Sequence, residues 1–311
     1  MVDLLLSKGY LVRVVDNLIT GKHINLIKHN KNSKLVLDER DIRILDAKDK
    51  IFQDVQYIFH FAGIGDIVPS IDRPDDYMSV NTQGTVKICE GARHNSIKKL
   101  IYAASSSCYG LAKVPTNESA KISLQYPYAL SKYLGECTIL HWKDVYDLPV
   151  NVIRIFNAYG TRSKTSGSYG AVFGVFLKQK LSGKPFTVVG DGSQKRDFLY
   201  VSDVAEAFYL AAKTRKSGEI YNLGAGNPQS INYLVKLLKG PVVNIPRRPG
   251  EPEITWADIS KIVKELKWKP KISFEEGVNK VLKNIDYWKD APLWSEKSIN
   301  NATRTWFKNL K

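Results

Sequence analysis

The chain has 311 residues, enough for one large or two modest domains, and its 43% hydrophobic and 25% charged residues are ordinary globular values. No apolar run approaches the roughly 18 residues of a membrane span, and no apolar leader with a small-residue cleavage site opens the chain. Cys89, Cys108 and Cys137 are too few and too irregularly spaced for a disulfide framework or a metal site, so a soluble, reduced, cytoplasmic protein is expected. The net charge of +15 sits on dispersed lysines rather than on a basic block interleaved with aromatics, which argues for a solvated surface and against nucleic acid.

In chain order, "VDLLLSKGY" reads as the last turns of a helix closed by Gly9. "LVRVV" (11–15) is a strand that ends on Asp16 and the turn-like "LITG". Further strands are expected at "KLVLDER" (34–40), "VQYIFHF" (55–61), "KLIYAA" (99–104) and "VNVIRIF" (150–156), with helical patterns at about 75–95 and 127–146. This alternation predicts an α/β, doubly wound parallel (Rossmann) sheet with its ligand at the strand C-terminal ends. After about residue 156, "GAVFGVFLKQKLSGKPFTVVGDG" is a helix running into a strand. "YVSDVAEAFYLAAK" is an amphipathic helix, and "EIYNLGAG" is a strand with a glycine-rich exit. The expected division is a dinucleotide-binding domain over 1–155 and a smaller α/β substrate domain over 156–311, with about 200–224 returning to the first.

Asp16 poses a question. An acidic residue at such a strand end hydrogen-bonds a dinucleotide ribose and lies about 20 residues after a glycine-rich phosphate loop. No such loop precedes Asp16 here. The strand that carries it would sit centrally, and without it two strands keep open edges. The expectation is a start upstream of the first residue, the alternative a degenerate protein that has lost the cofactor.

The strongest chemical signal is "YPYALSKYLGE", which puts Tyr128 and Lys132 one helical turn apart on one face. A phenol with a pKa near ~10 needs a neighbouring positive charge to act as a base at neutral pH. "YAASSSCYG" places Ser105, Ser106 and Ser107 at a strand's C-terminal end, and "HFAG" ends the preceding strand with small residues. "VNTQGT" puts Asn81 and Gly84 on the next helix, and "RIFNAYG" ends the strand after the Tyr–Lys helix.

Together these stretches resemble an extended short-chain dehydrogenase/reductase of the nucleotide-sugar epimerase/dehydratase family. The likeness runs from "VVDNL" through "RDFLYVSDVAEA" to "RRPGEPE…KIVKELKWKP". It implies NAD as cofactor, held by Asp16, Asn17, Asp41, Ile42, Phe61 and Ala62 and further by Gly63, Asn81, Ala103, Tyr128 and Lys132. It implies a nucleotide diphosphate sugar as substrate, with a UDP-sugar expected. Ser106, Ser107, Asn157, Val172 and Val189 would line that site, Arg196 and Arg248 would clamp the diphosphate, and Glu251 would contact the nucleotide side. By the same resemblance Ser105 hydrogen-bonds the sugar 4-oxygen, Tyr128 removes the 4-hydroxyl proton while C4 delivers hydride to the nicotinamide, and Lys132 tunes Tyr128.

Dehydratase relatives carry an acidic pair directly after the Ser/Thr, and decarboxylase relatives a glutamate two residues after it. Here Ser106 and Ser107 stand there, and neither is a carboxylate acid/base. The expected activity is therefore 4-epimerisation, as in UDP-glucose 4-epimerase-like members, serving nucleotide-sugar or surface-polysaccharide metabolism. The other readings are a dehydratase or reductase of the family and a non-catalytic Rossmann module. Asp16 suits NAD and repels the 2′-phosphate of NADP. Relatives also imply a homodimer through helices such as 75–95 and 127–146, with no membrane insertion. Two features depart from the galactose epimerases. Gly65 stands where those often have a lysine, and the C-terminal "DYWKDAPLWSEKSINNATRTWFKNLK" is aromatic and basic. Its tryptophans read as a cover for apolar surface, with a dimer or partner contact as the sharper alternative.

Overall fold

A computed structural model describes residues 1–163 and 171–310. Helix α1 (Val2–Ser7) leads into strand β1 (Val12–Val15), which pairs in parallel with β2 (Leu35–Asp38). The strands that follow are β3 (Tyr57–His60), β4 (Lys99–Ser105), β5 (Val150–Ile155), β6 (Asn157–Tyr159), β7 (Phe186–Val189), β8 (Lys195–Arg196), β9 (Phe198–Tyr200) and β10 (Glu219–Leu223). A four-stranded parallel sheet runs in the order β10-β5-β4-β3. Strand β10 comes from the 200–224 stretch and lies beside β5.

The sheet is covered on both faces, as a parallel sheet must be. All of β4 except Ser105 is buried, and its side chains alternate between two cores. Leu100 and Tyr102 join Ile88, Ala92 and Ile139 beneath α4 (Gly84–His94) and α5 (Pro127–Tyr146). Ile101 and Ala103 face the other way, toward Phe208, Ala211 and Trp268. Ahead of α4 lie α2 (Ile67–Asp72) and α3 (Pro74–Met78), and a π-helical turn, Ser79–Gln83, joins α3 to α4. The helical run expected over 75–95 is therefore interrupted in its middle by this turn, which carries Asn81.

The second half builds its own core around Phe173, Phe176, Phe198, Leu234, Phe274 and Trp288. Its helices are α6 (Val172–Leu181), α7 (Val201–Lys213), α8 (Ile231–Leu238), α9 (Ser260–Leu266), α10 (Phe274–Leu282), α11 (Glu296–Ala302) and α12 (Arg304–Asn309). Its strand pairs are short: β6 with β9, β7 with β12 (Val242–Ile245), and β8 with β11 (Gln229–Ser230). Helix α7 packs on the sheet, while α6 and α8 belong to the second core.

The β1–β2 pair and the four-stranded sheet share no ladder. Among the described residues β1 pairs only with β2, and β3 only with β4. The two pieces are tied by Arg13, whose guanidinium donates to the carbonyls of Gln53 (2.5 Å), Lys50 (3.2 Å) and Ile51 (3.2 Å). All three cysteines are free, Cys89 and Cys108 buried and Cys137 exposed. Among the described residues no helix is long and apolar enough to cross a membrane.

Candidate active site

Helix α5 starts on Pro127, whose fixed φ suits the first helical position, and so places Tyr128 in the first turn and Lys132 one turn later. Its inner face, Ala129, Ser131, Lys132, Gly135, Glu136 and Ile139, is buried at helical spacing. The Tyr128 hydroxyl donates to Ser105 Oγ at 3.3 Å, and Ser105 Oγ lies 2.7 Å from Ser107 Oγ. Ser105 also caps the short 3-10 turn Ser106–Tyr109 by accepting from Ser107 N–H at 3.2 Å. The expected Ser–Tyr pair is thus assembled where β4 ends, and a hydroxyl held between the two is within reach of both.

Burial raises the Tyr128 pKa, and the Ser105 hydrogen bond works against that rise. Lys132 follows Tyr128 by one helical turn and is buried. Its ammonium lies 4.3 Å from the Tyr102 ring centroid, and an ideal Cβ on Gly63 would be 3.7 Å from Nζ. The Lys132 ammonium thus packs on the Tyr102 ring at the back of the pair. Burial pushes Lys132 down to about 7, with the Glu136 carboxylate opposing.

The "HFAG" loop leaves β3 beside this pair. His60 is buried, bonded through Nε2 to Thr85 Oγ1 at 2.9 Å, and burial pushes it down to about 3, so it stays neutral. Phe61 is exposed and lies over Phe208 with ring centroids 4.5 Å apart. Gly63 could carry no side chain without meeting Asn81 Oδ1, 2.8 Å from its ideal Cβ. Asn81 is tied into the same loop. Its Oδ1 accepts from Ile64 N–H (2.8 Å), and its Nδ2 donates to the Ile64 carbonyl (3.0 Å) and Ser131 Oγ (2.9 Å). Both amide donors are committed, so Asn81 holds the loop.

Asp16, Asn17 and Asp41 gather at the ends of β1 and β2. Asp16 Oδ1 accepts from Leu18 N–H (2.8 Å), and Asn17 Nδ2 donates to Asp41 Oδ2 (3.0 Å). The Arg43 guanidinium holds Asp41 down to about 2. Ile42 and Ala103 turn their side chains into the cores, the first against Gly84, which leaves only their backbone for a cofactor. These residues fit NAD at its ribose and nicotinamide ends. The side-chain-free Gly63 lies beside the Lys132 ammonium at one end, and the Asp16 carboxylate closes β1 at the other. Among the described residues no glycine-rich turn precedes β1.

Four of the expected substrate residues, Val189, Arg196, Arg248 and Glu251, line a separate cleft with Gln194 and Arg247, while Ser106 and Ser107 stay in the turn after Ser105. Arg196 is nearly buried and donates to Glu251 Oε1 at 2.8 Å, and Arg248 Nε lies 3.7 Å from Oε2 of the same carboxylate. Asn157 Oδ1 accepts from Thr255 Oγ1 at 2.7 Å, while Val172 packs on the second core rather than lining the cleft. Tyr126 links cleft and catalytic pair. Its ring is parallel to that of Tyr128 at 6.4 Å between centroids, and burial raises its pKa, with Tyr128, Glu251 and Arg196 acting in turn on the phenol.

Sequence reasoning missed the polar network behind the site. Arg154 on β5 pairs with Glu136, and Arg154 Nη1 donates to the Tyr109 hydroxyl (2.7 Å), which donates to Asn222 Oδ1 (2.7 Å). Glu136 stands one turn after Lys132, and that spacing was the available signal.

A parallel sheet wound on both faces, with a serine and a tyrosine meeting at a strand end above a buried lysine, defines a Rossmann-type dinucleotide enzyme. The chain belongs to the NAD dependent epimerase/dehydratase family, whose model matches residues 1–224. It is 31% identical to a UDP-glucuronate 4-epimerase of Thermodesulfobacterium geofontis, covering 96% of this chain and 92% of the relative. Among solved structures it is similar to a UDP-N-acetylglucosamine 4-epimerase from Methanobrevibacter ruminantium in complex with UDP-N-acetylmuramic acid (TM-score 0.86, 31% identity, 92% and 93% of the two chains). It is also similar to a UDP-glucuronic acid 4-epimerase from Bacillus cereus in complex with UDP-glucuronic acid and NAD (TM-score 0.85, 28% identity, 91% and 93%).

The Lys132 environment predicts a pH effect. With its folded pKa at about 7 against an ordinary 10.5, the unfolded chain holds the extra proton between those values, so stability is lost as pH falls from 10.5 toward 7. Urea denaturation of wild type and Lys132→Met across that range should give wild type the steeper rise of stability with pH. Parallel curves would show that the lysine carries no burial penalty.

Proposed function

We propose that this protein is an NAD-dependent 4-epimerase of a UDP-sugar. The observation that carries the reading is the Tyr128–Ser105 pair at 3.3 Å, with serines rather than carboxylates at 106 and 107. Bound NAD supplies the hydride acceptor and donor for C4. In this reading Tyr128 takes the proton of the sugar 4-hydroxyl and returns it, and Ser105 keeps a hydrogen bond to the 4-oxygen throughout. Lys132 supplies positive charge near the reacting end through the nicotinamide ribose. Arg196 and Arg248 hold the diphosphate as planar, permanently charged donors, which leaves the sugar free to turn over and present its other face. Asp16 and Asn17 take the adenosine ribose.

In this reading the Tyr128–Ser105 pair moves the 4-hydroxyl proton. No carboxylate stands after Ser105 to remove a second proton or expel water, which is what separates epimerisation from dehydration. We place the reaction in cytoplasmic nucleotide-sugar metabolism serving surface polysaccharide. The supports are free cysteines and the absence of a membrane-crossing helix among the described residues. We place residues 1–155 on the cofactor and 156–311 on the nucleotide sugar, with β10 returning to the sheet.

The deciding test is product analysis with UDP-hexoses, including their N-acetyl and uronic acid forms. The expected outcome is a mixture of C4 epimers at constant NAD. A 4-keto-6-deoxy sugar, a pentose or stoichiometric NADH would sink the reading. In the same assay Tyr128→Phe should lower kcat by about 10²- to 10⁴-fold, the usual contribution of one acid–base group, and near-normal turnover would remove Tyr128 from the mechanism. We also propose a homodimer that covers Leu130, Val145 and Tyr146, exposed along α5. Light scattering should give twice the mass of one chain, and a single-chain mass at micromolar concentration would refute it.

A further inference from the structure

Helix α12 packs against the turn that carries Arg248. Trp306, on α12, is 2% exposed, and its indole N–H donates to the Pro249 carbonyl at 2.8 Å, 57 residues earlier in the chain. The indole ring lies 5.6 Å from the Arg248 guanidinium and 6.3 Å from the Tyr126 ring. One side chain therefore holds the backbone just after Arg248, provides a face for its charge, and touches the tyrosine that stacks on Tyr128. The helix that carries it is anchored elsewhere, packing against α2 beside the "HFAG" exit.

The physics of this contact is specific. An indole face carries negative quadrupole density and attracts a guanidinium within about 6 Å, more strongly where water is excluded. Arg248 has little solvent around it, with 13% of its side chain exposed and Glu251 Oε2 at 3.7 Å from Nε. A long arginine loses rotamer freedom when it meets an anion, and a residue that already holds it in place lowers that loss. The Trp306 N–H bond restrains the same turn through its backbone, where Gly250 has φ +71°. Packing alone would need the ring but neither the N–H bond to residue 249 nor the cation above the face.

We propose that Trp306 is a positioning residue of the nucleotide-diphosphate site, pre-setting Arg248 through its ring and the turn after it through its N–H. The proposal rests on reading the arginine cleft as the diphosphate site. It makes the C-terminal helix part of substrate recognition, beyond its share in the second core.

The test is calorimetric titration of UDP into the full chain, with wild type, Trp306→Leu, Trp306→Phe, Arg248→Ala and the Trp306→Leu/Arg248→Ala double variant. Trp306→Leu should weaken UDP binding by about 2- to 30-fold, the span of such contacts at tenfold per 1.4 kcal/mol. Trp306→Phe, which keeps a ring and loses the N–H, should fall between, and it carries the test if Trp306→Leu proves unstable by circular dichroism. In the Arg248→Ala background either change should cost little more. In turnover the loss should appear in KM, with kcat within about twofold. Undiminished UDP binding by a folded Trp306 variant, or a penalty that persists in full without Arg248, would overturn the proposal. A wild-type chain that does not take up UDP would overturn the diphosphate reading itself, and this proposal with it.

Discussion

The candidate site depends on how closely helix α5 approaches strand β4. At Gly135 a Cβ would lie 2.2 Å from the Tyr102 hydroxyl and 2.9 Å from the Asn81 carbonyl, so only glycine lets the surfaces meet. In that contact the Tyr102 hydroxyl donates to the Lys132 carbonyl at 3.2 Å, which pins the helix one turn from its start. The end of β4 and the first turn of α5 are then fixed relative to each other, and Ser105 meets Tyr128. A methyl group at 135 would push the helix out by roughly 1 Å or more, and hydrogen bonds weaken beyond about 3.2 Å. Overpacking of this kind costs about 1–3 kcal/mol. The geometric loss at the site would matter as much as the loss in stability.

The same contact carries a second constraint: Lys132 and Glu136 on this helix face and Arg154 on β5 are charged and almost fully buried. Taking an ion out of water costs several kcal/mol, and a buried pair recovers this only with good geometry and further hydrogen bonds. The Glu136–Arg154 pair has both, through two contacts from the guanidinium and the Tyr109 hydroxyl beyond it. A pair like this is weak evidence for stability, but it permits one arrangement of α5 on β5. It also leaves Glu136 charge facing Lys132, where it opposes the burial penalty on the ammonium. Arg154 fixes Glu136, and Glu136 supports Lys132. The Glu136–Arg154 pair thus acts on the charge of Lys132.

This layering explains what the sequence made legible. The boundaries of α5 were readable because Pro127 marks the first helical position and the apolar spacing runs to Tyr146. The strands fell within about two residues because a parallel sheet buried on both faces leaves continuous apolar runs. Ser105, Tyr128 and the two arginines came from motifs at strand ends and turns, where local sequence and chemistry coincide. The bonds of Asn81 to Ile64 and Ser131 were not legible because a π-helical turn has no compositional mark. The position of Lys132 over Tyr102, the Glu136–Arg154 pair and the contact of Trp306 with Arg248 all join separate elements. Periodicity tells which face is buried, and it does not name the partner.

The two ends of the cofactor site are held by different kinds of force. Ser105, Tyr128 and Lys132 rest on β4 and α5, inside a four-stranded hydrogen-bonded ladder with a core on each face. Asp16, Asn17 and Asp41 rest on the β1–β2 pair, whose ties to its surroundings run largely through side chains. Arg13 reaches the carbonyls at 50, 51 and 53, Asp3 gathers Lys28, His29 and Arg162, and the Tyr287 hydroxyl donates to Asn25 Oδ1 at 2.8 Å. Backbone ladders in a packed core open only near the global unfolding free energy, whereas exposed side-chain ties open locally at much lower cost. The substrate cleft sits on the firm side of this divide. The Asp197 carboxylate, next to Arg196, accepts the N–H groups of Ala225, Gly226 and Ala257 and so locks the exit of β10 to the segment after Glu251. The Ser105–Tyr128 pair and the Arg196–Glu251 cleft are therefore built into backbone ladders and buried bonds, and the β1–β2 pair depends more on side-chain ties.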